Sequence, residues 1–350
     1  MIGGGPKAAP AGEDRPGQSP SSSRVRAWLP LFRIPNLFTV PGDPLMGFVL
    51  GVIVYVSGVA AAPAEVQIAA GQDLLPPLWR AVPAMLAALA LYIAGLLAND
   101  YFDLEEDRRD RPSRPLPSGA VRPAHVLGLA VLLTAAGVGL GSAAGGVPGA
   151  VVAAGLAGLV WLYNVGGKRL AGWNYLNMGL CRGASILLGV VAAVPRDWLI
   201  ITEPVICIFF GGMTLYIAAV TAIASRETRQ QKVGMRRFLP VIVMAAWLLA
   251  MHGSTGMALV AMPAVIAIPS VACQILSIGA AGRCAKRLAG TPTPAVVQQT
   301  IGRLIRCLLL VQAGIVILAA DAYWPLYVAF ALLLASWPAS AILARRLYAS

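Results

Sequence analysis

Asn99-Asp100-Tyr101-Phe102-Asp103-Leu104-Glu105-Glu106-Asp107 follows directly on an apolar run over 80–98. That run has the length a membrane-spanning helix needs, about 20 residues. Six of the chain's 15 acidic residues (Asp100, Asp103, Glu105, Glu106, Asp107 and Asp110) fall within eleven positions here. If the helix continues past the apolar run, Asn99, Asp103 and Asp107 stack on one face with Asp100 beside them. Like charges at that spacing repel and call for cations. Mg²⁺ takes oxygen ligands and typically bridges one or two carboxylates to phosphate groups, so the face suits a Mg²⁺–diphosphate cradle. The plainer reading of the same residues is a solvated acidic loop neutralised by Arg108, Arg109 and Arg111. It leaves unexplained why an Asn and carboxylates at helical spacing sit on the end of a span.

The composition around this stretch fixes the class. Of 350 residues 58% are hydrophobic and 12% charged, against roughly 45–50% and about 25% in soluble domains. Ten runs read as spans: 36–59, 80–98, 124–144, 147–165, 175–195, 199–223, 238–253, 256–280, 304–320 and 323–343. The formal charge of +12 raises the possibility of a nucleic-acid partner, but its distribution removes it. Alternate loops and the two ends collect 24 of the 27 Lys and Arg, leaving Arg80 and Arg196 on the other side and Arg182 inside a span. This is the inside bias of a membrane protein. The expected architecture is all-α, a polytopic helical bundle in the lipid bilayer with both termini cytoplasmic. The Ala-, Gly- and Arg-rich composition fits a bacterial cytoplasmic membrane.

Residues 1–27 are Gly-, Pro-, Ser- and Ala-rich and read as a disordered cytoplasmic tail ahead of one transmembrane domain over 28–350. No short apolar segment with a small-residue cleavage site follows Met1, so a removable signal peptide is not expected. The five cysteines form no CxxC pair, and His125 and His252 have no ligand-like neighbours, so neither a disulfide framework nor a His/Cys metal site is expected.

After the acidic face comes Arg111-Pro112-Ser113-Arg114-Pro115-Leu116-Pro117-Ser118-Gly119, where prolines and a glycine impose a fixed non-helical path. An arginine held in such a turn meets phosphate oxygens in a bidentate manner. Together, Asn99-Asp100-x-x-Asp103-x-x-x-Asp107 and Arg114-Pro115-Leu116-Pro117-Ser118-Gly119 resemble the first aspartate-rich motif of the UbiA superfamily of intramembrane prenyltransferases. Arg33-Ile34-Pro35-Asn36-Leu37-Phe38-Thr39 before span one and Tyr163-Asn164-Val165-Gly166-Gly167-Lys168-Arg169 after span four are similar to the same family. The likeness covers roughly 30–240. It implies a helical bundle of nine spans, so a tenth is a departure: an extra C-terminal helix or an overcount.

The resemblance further implies a reaction. Two aspartate-rich motifs hold Mg²⁺ on an isoprenyl diphosphate, the diphosphate leaves, and the allylic fragment alkylates an aromatic or other lipophilic acceptor. By this likeness Asn99, Asp100, Asp103 and Asp107 hold Mg²⁺. Arg33, Arg114, Lys168 and Arg169 contact diphosphate, with Tyr163 near the reacting end. The second motif belongs after span six, where 216–234 carries Glu227 as its sole carboxylate, flanked by Arg226 and Arg229. Three outcomes stay open: Glu227 completes a Mg²⁺ site, Arg226, Arg229 or Lys232 replaces the second cation, or ionisation is lost and binding remains. This eroded second motif is similar to that of a divergent branch, the EboC-like proteins. A non-catalytic accessory protein that binds or moves a lipid-like metabolite is therefore the competing expectation. Transport ranks third, because the acids gather at a span end rather than at midplane and no clear repeat is present.

Overall fold

The structure, a computed structural model, describes residues 28–63, 75–170, 172–195, 197–224, 232–254 and 262–348. The expected tail over 1–27 lies outside the described residues. Backbone groups in hydrocarbon must pair within their own segment, and the apolar runs are accordingly helical, with no strand among the described residues. Nine helices there are long and apolar enough to cross a membrane. They are α1 (Gly42–Ala61), α2 (Ala81–Phe102), α3 (Pro123–Val165), α4 (Trp173–Ala193), α5 (Pro204–Ala224), α6 (Leu239–Ser254), α7 (Ala264–Arg287), α8 (Pro294–Val316) and α9 (Pro325–Tyr348).

One of the nine crosses twice. Straight, the 43 residues of α3 would run about 65 Å, double a bilayer's hydrocarbon core of about 30 Å. The helix instead breaks at Gly145 (φ −129, ψ 18) and Gly146 (φ 61, ψ −140), the latter a conformation that favours glycine. Its arms then run back to back. Trp161 Nε1 donates to Thr134 Oγ1 at 3.1 Å across 27 positions. Gly141 and Gly149 lie so close that a Cβ on either would collide with the other's carbonyl. With the two arms of α3 counted separately, the described helices make ten apolar passages, as the hydropathy predicts.

The boundaries shift in places. The first crossing starts at Gly42, not 36, because only Ile34–Leu37 forms a helical turn before the chain bends again ahead of Pro41. The ninth starts at Pro294, ten residues before the apolar run, because Thr293-Pro294 opens a helix whose first turns are polar. The eighth is described as Ala264–Arg287, and the expected residues 256–261 of that span lie outside the described residues.

α1 packs against α2, α4 and α8, and α4 also meets α3 and α5. The α1–α4 crossing is tight: a Cβ on Gly189 would strike the Pro44 carbonyl, and one on Gly47 the Ile186 carbonyl. The core fills with buried Phe48, Ile186, Leu188, Phe209, Met213 and Tyr216, among others. At the end away from the acid cluster, exposed Trp79, Trp198 and Trp324 precede α2, α5 and α9, the aromatic girdle of a membrane–water boundary.

Candidate active site

The acid cluster sits where α2 ends. Asp103 leaves helical geometry (φ −90, ψ 2), and a short helix, Leu104–Asp110, resumes at once. The backbone ladder bridges the break, with Asp103 N–H on the Asn99 carbonyl at 3.0 Å and Asp107 N–H on the Asp103 carbonyl at 2.8 Å. The i, i+4 backbone register expected from the sequence therefore persists across the break.

Three cations from three different segments answer three of these acids. Arg114 Nη1 donates to Asp107 Oδ2 at 2.6 Å and lies 3.9 Å from Asp100 Oδ1. Arg33 Nη2 approaches Asp100 Oδ1 at 3.4 Å. Lys168 is hydrogen-bonded to Asp103 Oδ1. Asp100 and Asp107 are buried, whereas the Arg33 and Arg114 side chains are 36% and 34% exposed. An arriving anion thus meets guanidinium first and carboxylate second. Arg33, Asp100, Asp107 and Arg114 line a cavity of about 230 Å³, walled by Pro30, Leu31 and the Pro115-Leu116-Pro117 turn.

Local structure holds each cation. The turn after Asp110 closes through Ser118 N–H on the Arg114 carbonyl at 3.0 Å and Val121 N–H on the Pro115 carbonyl at 3.1 Å, with Gly119 at φ +76. Buried Leu116 and Val121 anchor it beside Leu31, Leu97, Val126 and Ala130. Lys168 rides the 3-10 turn Gly167–Arg169. Asn164 fixes the preceding arm of α3 to α2 by donating Nδ2 to the Gly95 carbonyl at 3.3 Å. Arg33 follows a 3-10 turn and adopts φ 44, ψ 50, a left-handed state costing a non-glycine residue roughly 1–2 kcal/mol.

The remaining expected site residues fall as follows. Tyr163 is half-buried and within electrostatic reach of Asp103 and Arg33. Asn99 is half-buried, and its carbonyl caps the Asp103 amide. Arg169 is exposed and takes no part in the ion pairs at the acid cluster among the described residues. Glu227, Arg226 and Arg229 lie outside the described residues. Arg108 does pair with Glu105 at the surface, so the solvated-loop reading holds for that pair and not for Asp100, Asp103 and Asp107. The sequence reading missed Asp43, buried against Arg182 inside the bundle. The available signal was one acid and one base, each alone in an apolar run.

For a divalent cation, no group of three or more acids, histidines or cysteines is gathered closely enough to cage a metal among the described residues. The donor set is nevertheless of the right kind. Asp100, Asp103 and Asp107 are hard oxygen donors on one face, and Mg²⁺ needs only one or two carboxylates when phosphate oxygens and water complete its shell. The residues fit a Mg²⁺ shared with a diphosphate and do not fit an all-protein cage.

The sequence profile of the UbiA prenyltransferase family matches residues 55–282, and the chain belongs to that family. It is 34% identical over 178 residues to the digeranylgeranylglyceryl phosphate synthase of Ignicoccus hospitalis, covering 51% of this chain and 50% of that protein. The chain spans about half the length of the curated relatives it matches. Two solved structures share the fold. One concerns digeranylgeranylglyceryl phosphate synthase in membranes (TM-score 0.56, 18% identity, 85% of this chain and 99% of that one). The other is an apo UbiA homolog from Aeropyrum pernix K1 (TM-score 0.56, 16% identity, 80% and 96%). The chain is an integral membrane protein with a UbiA-type helical bundle.

Proposed function

We propose that the chain transfers a prenyl group from an isoprenyl diphosphate to a lipophilic acceptor within the membrane, with Mg²⁺ as cofactor. One observation carries the reading: two part-exposed guanidiniums, Arg33 and Arg114, front a buried pair of aspartates at the end of a crossing. Three acids balance three cations in the resting cluster. A diphosphate binds by drawing Arg33 and Arg114 from carboxylate to phosphate oxygens, in charge-assisted hydrogen bonds. The exchange frees Asp100 and Asp107 as oxygen donors, and Asp103 lies beside them. Mg²⁺ held there would supply Lewis-acid stabilisation of charge on the leaving diphosphate.

Arg33, Arg114 and Lys168 add fixed positive charge where that negative charge develops. The C–O bond to the allylic carbon breaks, diphosphate carries away the electron pair, and the acceptor forms the new bond and loses a proton. The bundle interior is apolar and keeps water from the cation, with Tyr163 near the reacting end. The site faces the cytoplasm, with both termini on that side of a bacterial cytoplasmic membrane.

A second reading, an accessory protein that binds or moves a lipid-like metabolite, is favoured by Glu227 being the sole carboxylate of 216–234. It fits the EboC-like branch. Incubation of purified full-length protein with labelled prenyl diphosphates, Mg²⁺ and an acceptor panel separates the two. Prenyl transfer abolished by Asp103→Asn supports the first reading. Mg²⁺-dependent binding without turnover supports the second, and absence of binding contradicts both.

A further inference from the structure

Asp43, in the first turn of α1, is fully buried. Arg182, midway along α4, places Nε 2.7 Å from its Oδ2 and Nη2 3.1 Å from its Oδ1. Gln312 of α8 donates Nε2 to the same Oδ1 at 2.6 Å, and its amide crosses Gly42 where any Cβ would collide with it. Both donors also reach Thr39. Its carbonyl accepts from Arg182 Nη2 at 3.1 Å and from Gln312 Nε2 at 2.8 Å, and its hydroxyl lies 3.2 Å from Arg182 Nη1. Side chains of α4 and α8, both held by Asp43 of α1, thus converge on one peptide outside any of the nine helices.

That peptide belongs to the short stretch joining Arg33 to α1. Thr39 is six residues from Arg33, which is held in the left-handed state described above. Apolar side chains of similar volume would fill the space between α1, α4 and α8 about as stably as an ion pair does. Apolar packing has no direction, whereas hydrogen bonds to a carbonyl fix a peptide's height and rotation. A slide of this stretch would release the Arg33 backbone to an extended or right-handed state and carry its guanidinium off Asp100.

We infer that Asp43, Arg182 and Gln312 are positioning residues: they clamp Thr39 and so present Arg33 to Asp100 and to an anion entering the cavity. The anion's identity as a diphosphate rests on the reading above; the clamp on 33–41 does not.

The test uses the full chain in lipid nanodiscs and the apolar double variant Asp43→Leu with Arg182→Met. Hydrogen exchange is followed peptide by peptide, and binding of radiolabelled inorganic diphosphate is measured with and without Arg33→Ala. Exchange over 29–41 is expected to accelerate about tenfold while α7 keeps its wild-type rate. Arg33→Ala is expected to weaken diphosphate binding about tenfold in the wild-type background and less than about twofold in the double variant, the coupling of linked sites. Unchanged exchange over 29–41 overturns the inference. Equal effects of Arg33→Ala in both backgrounds overturn it too, and a purely structural role predicts that equality. If exchange accelerates throughout the double variant, Gln312→Leu, which leaves the ion pair intact, decides: a smaller acceleration confined to 29–41 supports the clamp and none contradicts it. Wild-type protein that binds no diphosphate refutes the functional reading alone, and the exchange result still decides this one.

Discussion

Two groups of charges hold opposite conditions in this bundle. At the end of α2, carboxylates are buried behind part-exposed cations, and the contacts from Arg33 and Arg114 to Asp100 stretch to 3.4 and 3.9 Å. Between α1, α4 and α8, Asp43 is wholly enclosed, and its contacts to Arg182 and Gln312 lie between 2.6 and 3.1 Å. The first set is only partly closed: Arg114 meets Asp107 at 2.6 Å, but its contact to Asp100 and that of Arg33 are long, and both guanidiniums face solvent, where an anion can compete for them. The second is sealed, and nothing competes for its partners. The difference separates a ligand site from a fixture that holds part of it.

Breaking the sealed pair on one side has the largest expected effect. Arg182→Ala leaves Asp43 as an uncompensated buried charge, a loss of about 3–5 kcal/mol, visible as a sharp fall in Tm and in the yield of monodisperse protein. Arg114→Ala sharpens the contrast from the other side. It removes a charge-assisted hydrogen bond of about 1.5–3 kcal/mol from the ligand's path, so diphosphate affinity falls roughly ten- to hundredfold, and Tm falls less than for Arg182→Ala because the Arg114 side chain faces solvent and water reaches the site it leaves. Thr134→Val removes the hydroxyl that Trp161 meets across the α3 hairpin. It costs about 1 kcal/mol, read as a modest drop in Tm with unchanged affinity. Arg108→Ala breaks only the exposed pair with Glu105 and leaves Tm and affinity unchanged within error.

The two regions also differ in how far the sequence revealed them. The acid face was legible because helical spacing of Asn99, Asp103 and Asp107 survives a one-residue break, and a backbone ladder does not depend on distant residues. Arg114 was legible through a turn motif seven positions past Asp107, and Lys168, 65 positions from Asp103, through a separate motif after span four. The ten crossings were legible because hydrocarbon thickness sets their length, and the runs 124–144 and 147–165 predict the α3 hairpin that Gly145-Gly146 makes. Helix starts such as Pro294 were misplaced because hydropathy marks where lipid begins, not where a helix does. Asp43 and Arg182 are 139 positions apart. Neither carries a local pattern, and only the packing of α1 on α4 brings them together. Arg182 entered the topology count as a lone exception, when a single base and a single acid in separate spans already asked for each other.

The account's central claim is that the charges at the end of α2 bind a diphosphate together with Mg²⁺. Equilibrium binding of a labelled prenyl diphosphate to wild-type and Asp103→Asn protein, each with Mg²⁺ and with excess chelator, tests it most directly. The account predicts binding to the wild type that falls at least about tenfold on chelation and on Asp103→Asn, with no further loss when the two are combined. Binding indifferent to both, or no binding by the intact protein, contradicts it.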